Sequence, residues 1–115
     1  MASSSFNIRE NWSVKQHTGL SGYTSSSYVT EYRNGNIVVV DFVLNVSSAV
    51  PTESGYSNVC TLDFAKYAGV ANIAPLSSSY NPPIDIRIEN GILQRYAFAG
   101  WNVGASVRGQ LIARM

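Results

Sequence analysis

Residues 36–46 constrain the fold more than any other part of this chain. They read Asn-Ile-Val-Val-Val-Asp-Phe-Val-Leu-Asn-Val. On an extended backbone, Val38, Val40, Phe42, Leu44 and Val46 point one way, and Ile37, Val39, Asp41, Val43 and Asn45 point the other. The first set is wholly apolar and is expected to face a core. The second set is half apolar, more than contact with solvent requires, so that face is expected to pack against a loop or another subunit. Asp41 is the odd residue; it is expected to pair with an arginine or to guard a sheet edge against aggregation.

This strand reads as the second arm of a hairpin. Residues 28–33 alternate, with Tyr28, Thr30 and Tyr32 on one face, and Asn34-Gly35 follows, the pair best suited to a type I′ turn. A second hairpin sets Ile84, Ile86 and Ile88 against Asp85, Arg87 and Glu89, turns at Asn90-Gly91 and returns over 92–98. The last strand is expected over 105–114, with Val107, Leu111 and Ala113 inward and Gly109 marking a bulge or a close approach. Weaker strand signals lie at 12–17 and 58–64. Residues 47–56 and 74–83 read as loops, and 21–27 as a loop or flexible link. Turn residues recur throughout and no stretch has a helical period. The expected class is therefore all-β, many short strands as in a sandwich or a barrel. A length of 115 residues suits one domain spanning 1–115, with residues 1–27 open to being a flexible lead-in. The start at Met1-Ala2-Ser3-Ser4-Ser5, with a β pattern following at once, favours an excised or recombinant fragment.

Charge excludes several roles. Only 13% of residues are charged and the net charge is +1, about half the usual ~25% charged content. The scattered lysines and arginines form no basic stripe, so no nucleic acid is expected as partner. No apolar run approaches a membrane span. The single cysteine, Cys60, excludes an internal disulfide and reads as a small buried hydrophobe.

Catalytic parts are missing one by one. His17 is the one histidine, and Gly19-Leu20-Ser21-Gly22 lacks the spacing of a nucleophile elbow. No Cys/His spacing suits zinc, and no glycine-rich phosphate cradle occurs. Asp85 and Glu89 share a strand face but stand about 13 Å apart, beyond the ~5–9.5 Å of a glycosidase pair. Neither an enzyme, a cofactor nor a metal is expected. Aromatic residues are the better material for binding, because Tyr and Trp stack on sugar rings. Trp101 lies between Gly100 and Gly104 and is expected in a loop, where ligand or interface contact competes with packing.

The order of these elements resembles the C-terminal head of a phage tail receptor-binding protein. The likeness rests on Tyr32-Arg33-Asn34-Gly35-Asn36-Ile37-Val38-Val39-Val40, then Ile86-Arg87-Ile88-Glu89-Asn90-Gly91-Ile92, then the strand from Val107 to Ala113, so it covers the chain loosely from Tyr28 onward. One departure is that residues 58–83 lack the Leu-Pro-x-Gly-Tyr-x-Pro loop common in such heads. The resemblance implies an antiparallel β-sandwich, a jelly-roll-like, trimeric head at the tip of a virion's tail. It would be attached to other tail or baseplate proteins and would bind host cell-wall or surface saccharide. Sites in such heads use a Trp, an acid, an Arg and sometimes a His. Matched by residue type alone, these are Trp101, Asp85, Arg87, Arg95 and His17. Two other readings share the fold: a structural tail or trimerisation domain that binds no glycan, and a small bacterial lectin-like or exosporium head.

Overall fold

The computed structural model describes residues 12–68, 85–97 and 100–115. The described residues are all-β, with eight strands: β1 (Ser13–His17), β2 (Tyr28–Asn34), β3 (Ile37–Asn45), β4 (Ser57–Thr61), β5 (Tyr67–Ala68), β6 (Ile86–Glu89), β7 (Ile92–Arg95) and β8 (Ser106–Arg114). They form two sheets, one ordered β1-β2-β3-β8-β5 and the other β4-β7-β6. Every pairing is antiparallel. The sheets pack face to face around one apolar cluster, which makes the fold a small β-sandwich.

The long strand behaves as its alternation requires. Val38, Val40, Phe42, Leu44 and Val46 are at most 2% exposed, and the alternate residues are half-buried or exposed. Its inward side chains meet Val107, Leu111 and Ala113 of β8 within the same sheet and Cys60, Ile86, Ile88 and Leu93 of the opposing sheet. Gly109 pairs with Phe42 in unbroken register, so it marks no bulge. It occupies an inward position on β8, between the buried Val107 and Leu111.

The two hairpins differ at their turns. Asn90 and Gly91 both have positive φ (52° and 78°) between Glu89 and Ile92, as a type I′ turn requires. The first turn falls one residue later than expected. Asn34 pairs with Ile37, so the central residues are Gly35 and Asn36, and of these Gly35 alone has positive φ (61°). That is the II′ pattern, which places glycine first. Either register keeps Val29 facing the core, so alternation does not separate them; in the observed turn, Arg33 Nε donates to the Gly35 carbonyl at 3.0 Å.

Two further expectations are corrected. Asp41 lies on the third of five strands and guards no edge, and among the described residues it has no ion-pair partner. The stretch read as a lead-in belongs to the sandwich from Trp12 onward. β1 pairs with β2 along its whole length, Tyr23 bridges to Val46, and the Ser27 hydroxyl accepts from the Asn45 amide at 2.9 Å. Residues 1–11, and the expected loop over 74–83, lie outside the described residues.

Candidate functional site

The five residues singled out by type fall in three separate places. Asp85 and Arg87 stand on the outer face of the three-stranded sheet. Arg95 and Trp101 point between the sheets. His17 ends the edge strand β1.

The outer face of the small sheet carries the most ligand-like chemistry. Ile86, Ile88, Leu93 and Cys60 fill its inner face, so alternation turns Arg87, Glu89, Gln94 and Asn58 outward. Asn58, Gln94 and Arg87 form one cross-strand row. Within it, Arg87 Nε donates to Gln94 Oε1 at 2.9 Å, and Gln94 Nε2 donates to Asn58 Oδ1 at 2.9 Å. The Arg87 guanidinium lies 3.7 Å over the centre of the Tyr56 ring. Tyr56 packs against Tyr96 at 5.4 Å between ring centres, and its hydroxyl donates to Asp85 Oδ2 at 2.8 Å. That hydrogen bond, then burial and the charge of Asp85, raises the Tyr56 phenol above its ordinary value of 10.0, so it stays a neutral donor near pH 7. Among the described residues, the terminal guanidinium nitrogens of Arg87 make no hydrogen bond. One oriented cation, one oriented carboxylate and two half-buried tyrosines thus share a surface.

Arg95 serves a different purpose. It points inward from β7, where Nη1 donates to the Tyr23 hydroxyl at 2.7 Å and Nη2 lies 3.3 Å from Glu53 Oε2. Its guanidinium also stands 5.7 Å from the Trp101 ring centre. Glu53 in turn accepts from the Ser57 hydroxyl and from the Ala97 amide at 2.8 Å. Burial opposes the Glu53 charge, but hydrogen bonds from Ser57, Ala97 and Arg95 outweigh it and hold the carboxyl below its ordinary 4.5. Burial likewise opposes the Arg95 charge and is outweighed by Tyr23 and Glu53. Burial dominates at Tyr23 and raises its phenol despite Arg95. This network anchors the loop between β3 and β4.

Trp101 is 1% exposed and pairs backbone to backbone with Val50. The flanking glycines do mark a turn, but the indole is a core side chain, with no face left for a sugar. An open depression of ≈ 410 Å³ lies beside it, lined by Ala49–Thr52 and Gly100–Asn102. Trp101 contributes to its wall almost no accessible surface.

His17 leads to the polar feature that alternation in the sequence did not flag. Its Nε2 lies 2.6 Å from Oε2 of Glu31, a residue with no exposed surface. Glu31 Oε2 also accepts from the Asp63 amide at 2.7 Å, and Oε1 accepts from the amides of Phe64 and Ala65 at 2.7 and 3.0 Å. A carboxylate offers about four lone-pair sites, and here all four are filled. His17, Glu31 and Asp63 bring ligand atoms within 4.8 Å of one another, but the filled carboxylate leaves no lone pair for a metal. Asp63 is meanwhile engaged with Lys15 at 3.6 Å. The cluster reads as a structural clamp that ties the segment after β4 to β2. Cys60, buried beside it, has its thiol pushed up to about 11 by burial and then by Glu31 and Asp63, and so behaves as an inert hydrophobe.

Compared with known proteins, the chain matches no family model, no curated protein and no solved structure.

Proposed function

We propose that this chain is a binding module rather than an enzyme, and that it binds saccharide on the outer face of its three-stranded sheet. The observation that carries this reading is the Arg87 guanidinium, stacked on Tyr56, held through Nε by Gln94, and with its terminal donors uncommitted beside Asp85. Such a fork pairs with vicinal hydroxyls, a phosphate or a carboxylate of a glycan. The free lone pairs of Asp85 accept from hydroxyls, and the tyrosine rings supply apolar surface for the sugar's C–H face. The likeness to phage receptor-binding heads supplies the setting: a host-recognition module at a virion tail tip, acting as a homotrimer with other tail or baseplate proteins, on host cell-surface saccharide. Of the residues matched by type, Asp85 and Arg87 remain in the proposed site. Arg95 and His17 support the scaffold, and Trp101 is core.

The test is binding of the folded chain to bacterial cell-wall polysaccharides, wild type against Arg87→Met and Tyr56→Ala. A drop of tenfold or more in both variants, with unfolding temperatures near wild type, supports the reading. Binding unchanged in both folded variants removes this face from the site. A second reading, a structural tail or trimerisation domain without glycan binding, is favoured by the apolar outer face of the five-stranded sheet. Silence across all polysaccharides together with an oligomeric mass would select it.

A further inference from the structure

The outer face of the five-stranded sheet has a composition unlike solvent-facing surface. Register places Val14, Tyr32, Val39 and Ile112 in one unbroken row across four strands. Ile37 stands one position along β3, and Tyr67 of β5 stands opposite Arg114. Val14, Ile37, Tyr67 and Ile112 are 43–61% exposed; of the exposed large hydrophobics among the described residues, only Val103 lies elsewhere. Interface cores show this same enrichment in aromatic residues, here Tyr28, Tyr32 and Tyr67.

We infer that this face is a contact between copies of this chain. The inference specifies the self-association part of the reading above and does not depend on saccharide binding.

Two features select a second copy as the occupant. The first is charge. Asp41 lies at the middle of the face opposite Gln110, and Arg108 lies one pair along, opposite Val43. Among the described residues, neither has an ion-pair partner in its own chain. When two such faces meet, about a two-fold axis or around a three-fold one, the carboxylate of one copy finds the guanidinium of the next. A face carrying both signs is complementary to itself. The second feature is size. Its strands run from two residues (β5) to nine (β3 and β8), and at about 3.4 Å per residue and about 4.8 Å between strands they cover roughly 500 Å² of flat area, which the relief of projecting side chains brings near the lower bound of about 600 Å² per partner for specific interfaces.

The experiment is the mass of the full chain by sedimentation or light scattering from about 1 to about 100 µM, since assembly follows mass action. Wild type is expected at two or three chains. Ile112→Lys, at a position already exposed in the single chain, is expected to weaken assembly at least tenfold while leaving the unfolding temperature of the dissociated chain in place. Val103→Lys, the exposed hydrophobe away from this face, is expected to assemble as wild type. Asp41→Arg and Arg108→Asp are each expected to weaken assembly, and their combination to restore it. Wild type at the mass of one chain over the whole range, or Ile112→Lys assembling like wild type, overturns the inference. A folded double swap that does not reassemble overturns the pairing of Asp41 with Arg108. Loss of polysaccharide binding in Arg87→Met with assembly intact leaves this inference standing, so the two readings fail separately.

Discussion

Replacing Glu31 by Gln changes one atom of a fully buried side chain and is expected to destabilise the whole sandwich. In the wild type the two carboxylate oxygens accept three backbone amides and face the His17 ring nitrogen. The Gln carbonyl retains the amides of Phe64 and Ala65, which leaves its NH₂ facing the Asp63 amide, donor against donor. An unsatisfied buried donor costs about 1–3 kcal/mol, and each of the two surviving bonds loses about 1 kcal/mol as its acceptor becomes neutral. Relief of the buried charge offsets part of this, for a net loss of about 2–4 kcal/mol against a typical total of ~5–15 kcal/mol. At a few degrees per kcal/mol for a domain of this size, the unfolding temperature should fall by roughly 8–15 °C. Circular dichroism melting measures the fall. Amide hydrogen exchange locates it, with faster exchange expected at Asp63, Phe64 and Ala65. A Glu31→Gln variant that melts within about 2 °C of wild type and keeps those amides protected would refute the clamp.

Other expectations follow from the same contacts. Trp101→Ala removes a side chain that is 1% exposed, so it should cost about 3–5 kcal/mol in stability; melting near wild type would show the indole is not core. Gly100→Ala adds a Cβ 3.0 Å from the Val50 carbonyl at a φ of +77°, and a loss of about 1–3 kcal/mol in a urea titration is expected. Glu53 has a lowered folded pKa, so its contribution to stability is present above the unfolded value and lost as pH falls through the folded one. Wild type should therefore lose more stability than Glu53→Gln when pH is lowered below the ordinary 4.5; parallel acid limbs would contradict the Glu53–Arg95 assignment.

What the sequence made legible was whatever follows from a period of two. The inward row from Val38 to Val46, the inward positions of β8 and the Asn90-Gly91 turn all follow from alternation and turn chemistry. The first turn escaped because a shift of the pairing sum by two leaves every side chain on its own face. Glu31 escaped because its side of β2 alternates with Tyr28, Thr30 and Tyr32, a row that draws attention first, and its three amide donors lie more than thirty residues away in a segment without regular structure. A hint was present: Val29 and Glu31 share a face, so an inward valine brings the carboxylate in with it. Asp41 drew notice because its strand is apolar, although its own face is the outer one. Trp101 misleads for a related reason, since glycine neighbours report a turn in the backbone and say nothing of which way the indole points. Tyr56 and Gln94, which complete the proposed site around Arg87 and Asp85, come from the loop before β4 and from β7 respectively, and only the pairing of β4 and β6 with β7 brings them together.

The most direct test of the central claim is polysaccharide binding by wild type and by Arg87→Met, measured side by side at equal oligomeric mass. The account requires wild type to bind at least one cell-wall polysaccharide and Arg87→Met to bind it at least tenfold more weakly, with the same melting temperature. Equal binding by the two folded proteins would contradict the assignment of this face as the binding site.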